Sequence, residues 1–160
     1  PFGELAAGGA MGGLITFGVY YTMTQALNWW IFLYALPAII VIGCVLLLNN
    51  TCDIEKDIAA GRHTLAIIIG RPKATALLKG GYIAAAVVIA IICLWKFTAG
   101  SWVLLPMFFL CRKKFHAVLT MDFVAETRIS GMKAVLPLTP LLSISYVLAI
   151  WADIIVNSLV

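Results

Sequence analysis

Charge is what this sequence has least of. Asp, Glu, Lys and Arg make up 11% of 160 residues, where a soluble domain carries about a quarter. Between Leu5 and Cys52 there is no Asp, Glu, Lys, Arg or His at all. That absence excludes a soluble domain's surface, a disordered tail and a charged coiled coil. It also excludes a nucleic-acid-binding face, despite the net charge of +4. Cysteine is scarce, with four residues and no C-x-x-C pair, which argues against a zinc or disulfide framework. Cys44, Cys52, Cys93 and Cys111 lie in or beside apolar runs and are expected to be reduced, small apolar fillers. No basic leader precedes the first apolar run, as a signal peptide would require. The chain opens at Pro1-Phe2-Gly3 without a Met, the mark expected of a piece of a longer protein.

What is present is apolar. Hydrophobic residues make up 63% of the chain and mean hydropathy is +1.05. As one helix, Leu5–Cys52 would run roughly 70 Å at about 1.5 Å per residue, more than twice a hydrocarbon core of about 30 Å. It must fold back, and the polar dip Thr24–Asn28 before Trp29-Trp30 is the place, with the indoles at the interface. The pattern predicts an all-α polytopic transmembrane bundle with five spans, near residues 5–25, 29–48, 77–95, 97–111 and 134–152. Pro137 and Pro140 are expected to bend the last. Gly8, Gly9, Gly12 and Gly13 make two overlapping G-x-x-x-G pairs, a pattern for close helix packing. Of the eleven basic residues only Lys96 falls on one side of this topology, which places the loops bearing Lys56, Arg62, Arg112, Lys113 and Lys114 in the cytoplasm. The Arg112-Lys113-Lys114 cluster reads first as a topology anchor, with anionic lipid heads as a second role.

The chemistry is concentrated in the loop 49–76. Asn49-Asn50 precedes Asp53, Glu55 and Asp57, followed by Gly61-Arg62-His63-Thr64-Leu65. On a helix, Asp53 and Asp57 stand one turn apart on one face, and Gly61 leaves that face open beyond them. Two aligned carboxylates suit magnesium, which is held by one or two carboxylates, waters and substrate phosphates. Arg62 offers a fork for a phosphate oxygen, and Asn49 and Asn50 offer amides at the membrane edge. Spacing alone leaves an ordinary solvated helix equally open. His63 and His116 read as solvated residues, having no suitably spaced second His.

These residues resemble the membrane-embedded polyprenyltransferases of the UbiA superfamily, closest to the menaquinone-pathway branch. The asparagine pair, Asp53, Asp57, the Gly61-basic step and Thr64-Leu65 are similar to the second aspartate-rich motif. Pro1-Phe2-Gly3-Glu4-Leu5 before a Gly-rich helix resembles the lead into that branch's fifth helix. The resemblance implies the second half of a nine-helix fold in the plasma membrane. It implies transfer of a polyprenyl group from its diphosphate to an aromatic acceptor, 1,4-dihydroxy-2-naphthoate in that branch. It further implies Mg2+ on Asp53 and Asp57, with Asn49, Asn50 and Arg62 as diphosphate contacts. No N-D-x-x-D first motif occurs in these residues, so a partner motif is expected on a preceding half, and the piece alone is expected to be inactive. Cys52 departs from the Arg common in that branch, and Arg62 from the usual Lys.

Three rivals stay open at this point. The acceptor is otherwise 4-hydroxybenzoate, homogentisate, haem or a chlorophyll precursor. Half of a secondary transporter would instead call for ionisable residues near the midplane, and the five spans hold none there. A structural subunit would leave the paired aspartates unexplained.

Overall fold

A computed structural model describes residues 2–159. Its first helical run is built of α1 (Gly3–Ala7), a π-helical segment (Gly8–Leu14) and α2 (Ile15–Thr24). Gln25, left-handed at φ 54°, ends it at the expected polar dip. Asn28 Oδ1 accepts from the Trp30 amide, and the rings of Phe17, Trp29 and Phe32 stack at 5.2–6.1 Å, closing the hairpin into α3 (Ile31–Cys52). Then follow α4 (Ile54–Ala59), α5 (Leu65–Ile69), α6 (Arg71–Lys96), a 3₁₀ segment (Thr98–Val103), α7 (Leu104–Thr120) and α8 (Arg128–Leu159). The described residues are helical apart from short connections, as apolar surroundings require, because every backbone donor must be satisfied within its own segment.

Helix α3 is the axis of the bundle and packs against α1, the π segment, α6 and α8. Gly8 and Gly12 press on its backbone at Ile39; a Cβ on Gly12 would come within 2.6 Å of the Ile39 nitrogen. Gly9 faces open space, and Gly13 meets only the side chains of Ile39 and Phe32. Of the two glycine pairs, then, one makes the close approach. Leu48, Leu78, Tyr82, Phe123, Val135 and Leu138 are fully buried in the core, and the Tyr82 hydroxyl bonds Thr139 Oγ1 at 2.8 Å to tie α6 to α8. All four cysteines are free and buried, as fillers should be. Apolar side chains such as Leu5, Val19, Ile91, Leu94, Phe108 and Trp151 face outward, a surface suited to lipid and not to water.

Three helices, α3, α6 and α8, are each long and apolar enough to cross a membrane. The structure redraws several expected boundaries. Residues 97–111 are not one helix: they begin as the 3₁₀ segment and continue into α7, which carries Arg112, Lys113 and Lys114 within it. The segment 49–76 is mostly helical and not an open loop, with α6 starting six residues ahead of Leu77. Helix α8 extends past both ends of 134–152 and so includes a buried acid, Asp153. Its Oδ1 accepts from the amides of Ala99 (2.9 Å) and Gly100 (3.3 Å), and its Oδ2 from Asn157 Nδ2 (2.9 Å). That carboxylate fastens the 3₁₀ segment to α8, where Gly100 lies directly on the Ala149 carbonyl.

Candidate active site

The acidic segment begins where α3 runs out of apolar residues. Thr51 bonds back to the Leu47 carbonyl at 2.6 Å, and α3 stops after Cys52. Asp53 takes φ −100° and ψ 17°, outside the helical well, and serves as the junction to α4. The pair expected within one helix is therefore split by a helix break. Its spacing survives, because the Asp57 amide still donates to the Asp53 carbonyl at 2.9 Å.

Gly61 ends α4. At φ +67° it is the left-handed residue of a Schellman turn: its amide reaches Ile58, and the Arg62 amide reaches back to Asp57, at 3.0 and 2.9 Å. The glycine expected to leave a face open instead turns the chain and sends Arg62 back toward Asp57. Arg62 Nη1 then stands 3.2 Å from Asp57 Oδ1, with Asp57 buried and Arg62 largely exposed. Thr64 caps α5 by accepting from the Ile67 amide at 3.4 Å.

Asp53 is 17% exposed, and its Oδ2 lies 3.1 Å from Nη2 of Arg128, the first residue of α8. Lys56 Nζ stands 3.6 Å from Oδ1, too far for a hydrogen bond. Arg128 is presented by a loop closed on itself: Thr127 Oγ1 accepts from the Val124 amide at 3.0 Å and donates to the Asp122 carbonyl at 2.6 Å. Asn50 Nδ2 donates to Oε1 of buried Glu4 at 2.8 Å, tying α1 to α3. Glu55 turns away from the two aspartates. It accepts both oxygens' bonds from Arg71 Nη2 (2.8 and 2.7 Å), while Arg71 Nε donates to the Thr51 carbonyl. The Arg71 guanidinium holds the Glu55 carboxyl below the usual carboxylate range.

Three polar atoms at this end are buried without a hydrogen-bond partner: Asn49 Oδ1, Asp53 Oδ1 and Arg128 Nε. Buried polar groups are paired in the great majority of cases, so three orphans together call for an explanation. Asn49 and Asp53 sit one helical turn apart, with the Asp53 amide bonded to the Asn49 carbonyl at 3.0 Å. Two orphaned oxygens fit a hard cation, and an orphaned guanidinium N–H fits an anion. Among the described residues no group of three or more His, Cys, Asp or Glu side chains converges to complete a metal site. Of the residues singled out in the sequence, Asp53 pairs with Arg128, Asp57 pairs with Arg62, Asn49 lies one turn before Asp53, and Asn50 is engaged by Glu4. Neither Arg128 nor Glu4 stands near the motif in sequence. Their one sequence signal was a charged residue opening an apolar run.

Apolar helices with their polar chemistry gathered at one end define an all-α integral membrane protein. The model of the UbiA prenyltransferase family matches residues 1–121, and the chain belongs to that family. It is similar to the 1,4-dihydroxy-2-naphthoate octaprenyltransferase of Bacillus subtilis (strain 168), 38% identical over 82 residues, which is 51% of this chain and 26% of the relative. It is also similar to the enzyme of that name from Haemophilus influenzae, 39% identical over 56 residues, or 35% of this chain and 18% of the relative. The aligned stretches thus span about a quarter, and less than a fifth, of those relatives. No solved structure matches the chain.

Proposed function

We propose that this chain supplies one half of the active site of a membrane prenyltransferase, which moves a polyprenyl group from its diphosphate to an aromatic ring. The observation that carries the reading is the cluster of orphaned atoms on Asn49, Asp53 and Arg128, two acceptors and a donor buried at one end of the bundle. A prenyl diphosphate with a divalent cation is a ligand that would satisfy both kinds.

In that reading the carboxylates of Asp53 and Asp57 and the Asn49 oxygen hold Mg2+, whose charge, when bound, stabilises a departing diphosphate. Arg128 and Arg62 each have a partner carboxylate today and donate to phosphate oxygens once substrate arrives. Asn50 positions the α3 terminus through Glu4. The apolar helices exclude water, so that the allylic carbon meets the aromatic ring and not hydroxide. Because no three acidic, His or Cys side chains converge among the described residues, the remaining ligands are assigned to a matching acidic motif elsewhere in a longer protein.

The acceptor assigned is 1,4-dihydroxy-2-naphthoate, supported by the two relatives bearing that activity in their names. The acidic end is assigned to the cytoplasmic face of the plasma membrane, supported by the basic residues Lys56, Arg62, Arg71, Arg112 and Arg128 on that side. The test is prenyl transfer by the full protein in membranes with each acceptor in turn. Asp53→Asn and Asp57→Asn should abolish product while membrane insertion is kept, and the 160 residues alone should give none. Turnover at the wild-type rate by either variant would reject the assignment.

A further inference from the structure

One cavity lies away from the acidic end. It is a trough of about 500 Å³ between α6 and α7, floored by Leu142 and Ser145 of α8. Its walls are almost wholly apolar, running from Ile83 to Leu94 on α6 and from Leu104 to Phe115 on α7. Each of these intervals covers roughly 17 Å at about 1.5 Å per residue. Half of a hydrocarbon core is about 15 Å. The trough is as long as one leaflet is thick.

At one end its character changes. Arg112 lines this trough and also a second, smaller cavity of about 370 Å³ formed with Lys113 and His116. Arg112 and Lys113 are exposed, and among the described residues neither has an ion-pair partner. Because α6 and α7 run in opposite directions, this charged end is the one toward which Ile83 lies, on the side of the bundle that bears the acidic site. An apolar trough of leaflet depth that opens on a free guanidinium and an ammonium has the shape and charge of a phospholipid: chain below, phosphate above. A guanidinium matches phosphate with two parallel N–H bonds, and each basic side chain near an anionic surface adds to the attraction.

We propose that this trough holds an acyl chain of an anionic phospholipid from the surrounding bilayer, with the lipid phosphate bound by Arg112 and Lys113. The site is separate from the diphosphate corner. None of Asn49, Asp53, Asp57 or Arg128 lines it.

The experiment uses the full protein reconstituted in phosphatidylcholine vesicles, with spin-labelled phosphatidylglycerol or spin-labelled phosphatidylcholine as probe. The motionally restricted fraction is read by electron paramagnetic resonance. Wild type should restrict phosphatidylglycerol in preference to phosphatidylcholine. Arg112→Gln and Lys113→Gln should each cut that preference by about fivefold. Ala86→Phe, which fills the trough and leaves both charges, should also remove it; Ala86→Leu is the smaller filling should the Phe variant fail to insert. Lys96→Gln, outside both cavities, should change nothing.

Four results would overturn the proposal. They are equal restriction of the two lipids by wild type, a preference that survives the Arg112 and Lys113 substitutions, a preference that survives a filled trough, or displacement of the label by stoichiometric geranylgeranyl diphosphate. The last would hand the trough to the prenyl substrate.

Discussion

Arg128→Gln separates a structural account of the acidic corner from a catalytic one. The guanidinium stands 3.1 Å from Asp53, yet its Nε is buried and unpartnered. If the ion pair merely braces α8 against α3, the loss should appear in stability alone. Arg128 is 38% exposed and Asp53 17%, so solvent screening cuts the pair's worth well below that of a buried one. A cost of about 1 kcal/mol is expected, between the surface and buried regimes. If Arg128 also donates to the departing diphosphate, removing that donor should lower kcat by about 10²–10³, as when one oxyanion-stabilising donor is lost. Arg128→Lys keeps the charge near Asp53 but not the fork, and should restore stability while recovering only part of kcat. The assay is steady-state prenyl transfer by the full protein in detergent, with kcat and KM separated, beside thermal unfolding of the same samples. A kcat within threefold of wild type in Arg128→Gln, at any stability, refutes the catalytic role.

Three further outcomes follow from the packing. Gly12→Ala should destabilise the hairpin by about 1–3 kcal/mol, because its new Cβ meets the Ile39 backbone, while Gly9→Ala should be neutral or slightly stabilising; unfolding in mixed micelles ranks the two. Asp153→Ala leaves the Ala99 amide without its acceptor, while the Gly100 amide keeps its bond to the Phe97 carbonyl at 3.1 Å, and should cost about 1–3 kcal/mol, read by the same unfolding assay, with proteolysis near Gly100 as the local signal. The Glu55 carboxyl is held below its unfolded value by Arg71, so the Arg71–Glu55 tie is complete above the ordinary carboxylate range near pH 4.3 and is lost as pH falls through the lower folded value. Hydrogen exchange at residues 65–74, corrected for its intrinsic pH dependence, should stay flat from pH 7 to 5 and accelerate only below. Glu55→Gln should show the faster exchange already at pH 7.

The helices were legible because a long uncharged run has few options once it exceeds the bilayer thickness. The hairpin turn was legible because Gln25 and Asn28 interrupt that run and Trp29 follows. Boundaries were less so. Polar residues mark where lipid stops and not where a helix stops, and α6 and α8 both run beyond their apolar stretches. Nothing in the composition signals that Gly8–Leu14 winds as a π-helix, nor which glycine pair faces α3, since that depends on helix rotation. At the site, the Asp53–Asp57 spacing was readable from four residues of separation. The break at Asp53 was not, because a junction residue is chosen by how α4 docks and not by its own propensity. Gly61 was read as leaving the aspartate face open; that it stops α4 and turns Arg62 onto Asp57 required the turn geometry. Arg128 was out of reach because only the packing of α8 on α3 brings it to Asp53. Asp153 lay one residue beyond an expected span end, and its two amide partners come from a segment over fifty residues earlier.

The claim on which the account rests is that Asp53 and Asp57 hold a divalent cation against a prenyl diphosphate. Titration calorimetry of the full protein with geranylgeranyl thiodiphosphate, a non-ionising analogue, tests it directly when run with Mg2+ and with EDTA. Binding should require Mg2+ in wild type and fall by at least tenfold in Asp53→Asn and in Asp57→Asn. Equal affinity with and without Mg2+, or unchanged Mg2+-dependent binding in both variants, would contradict it.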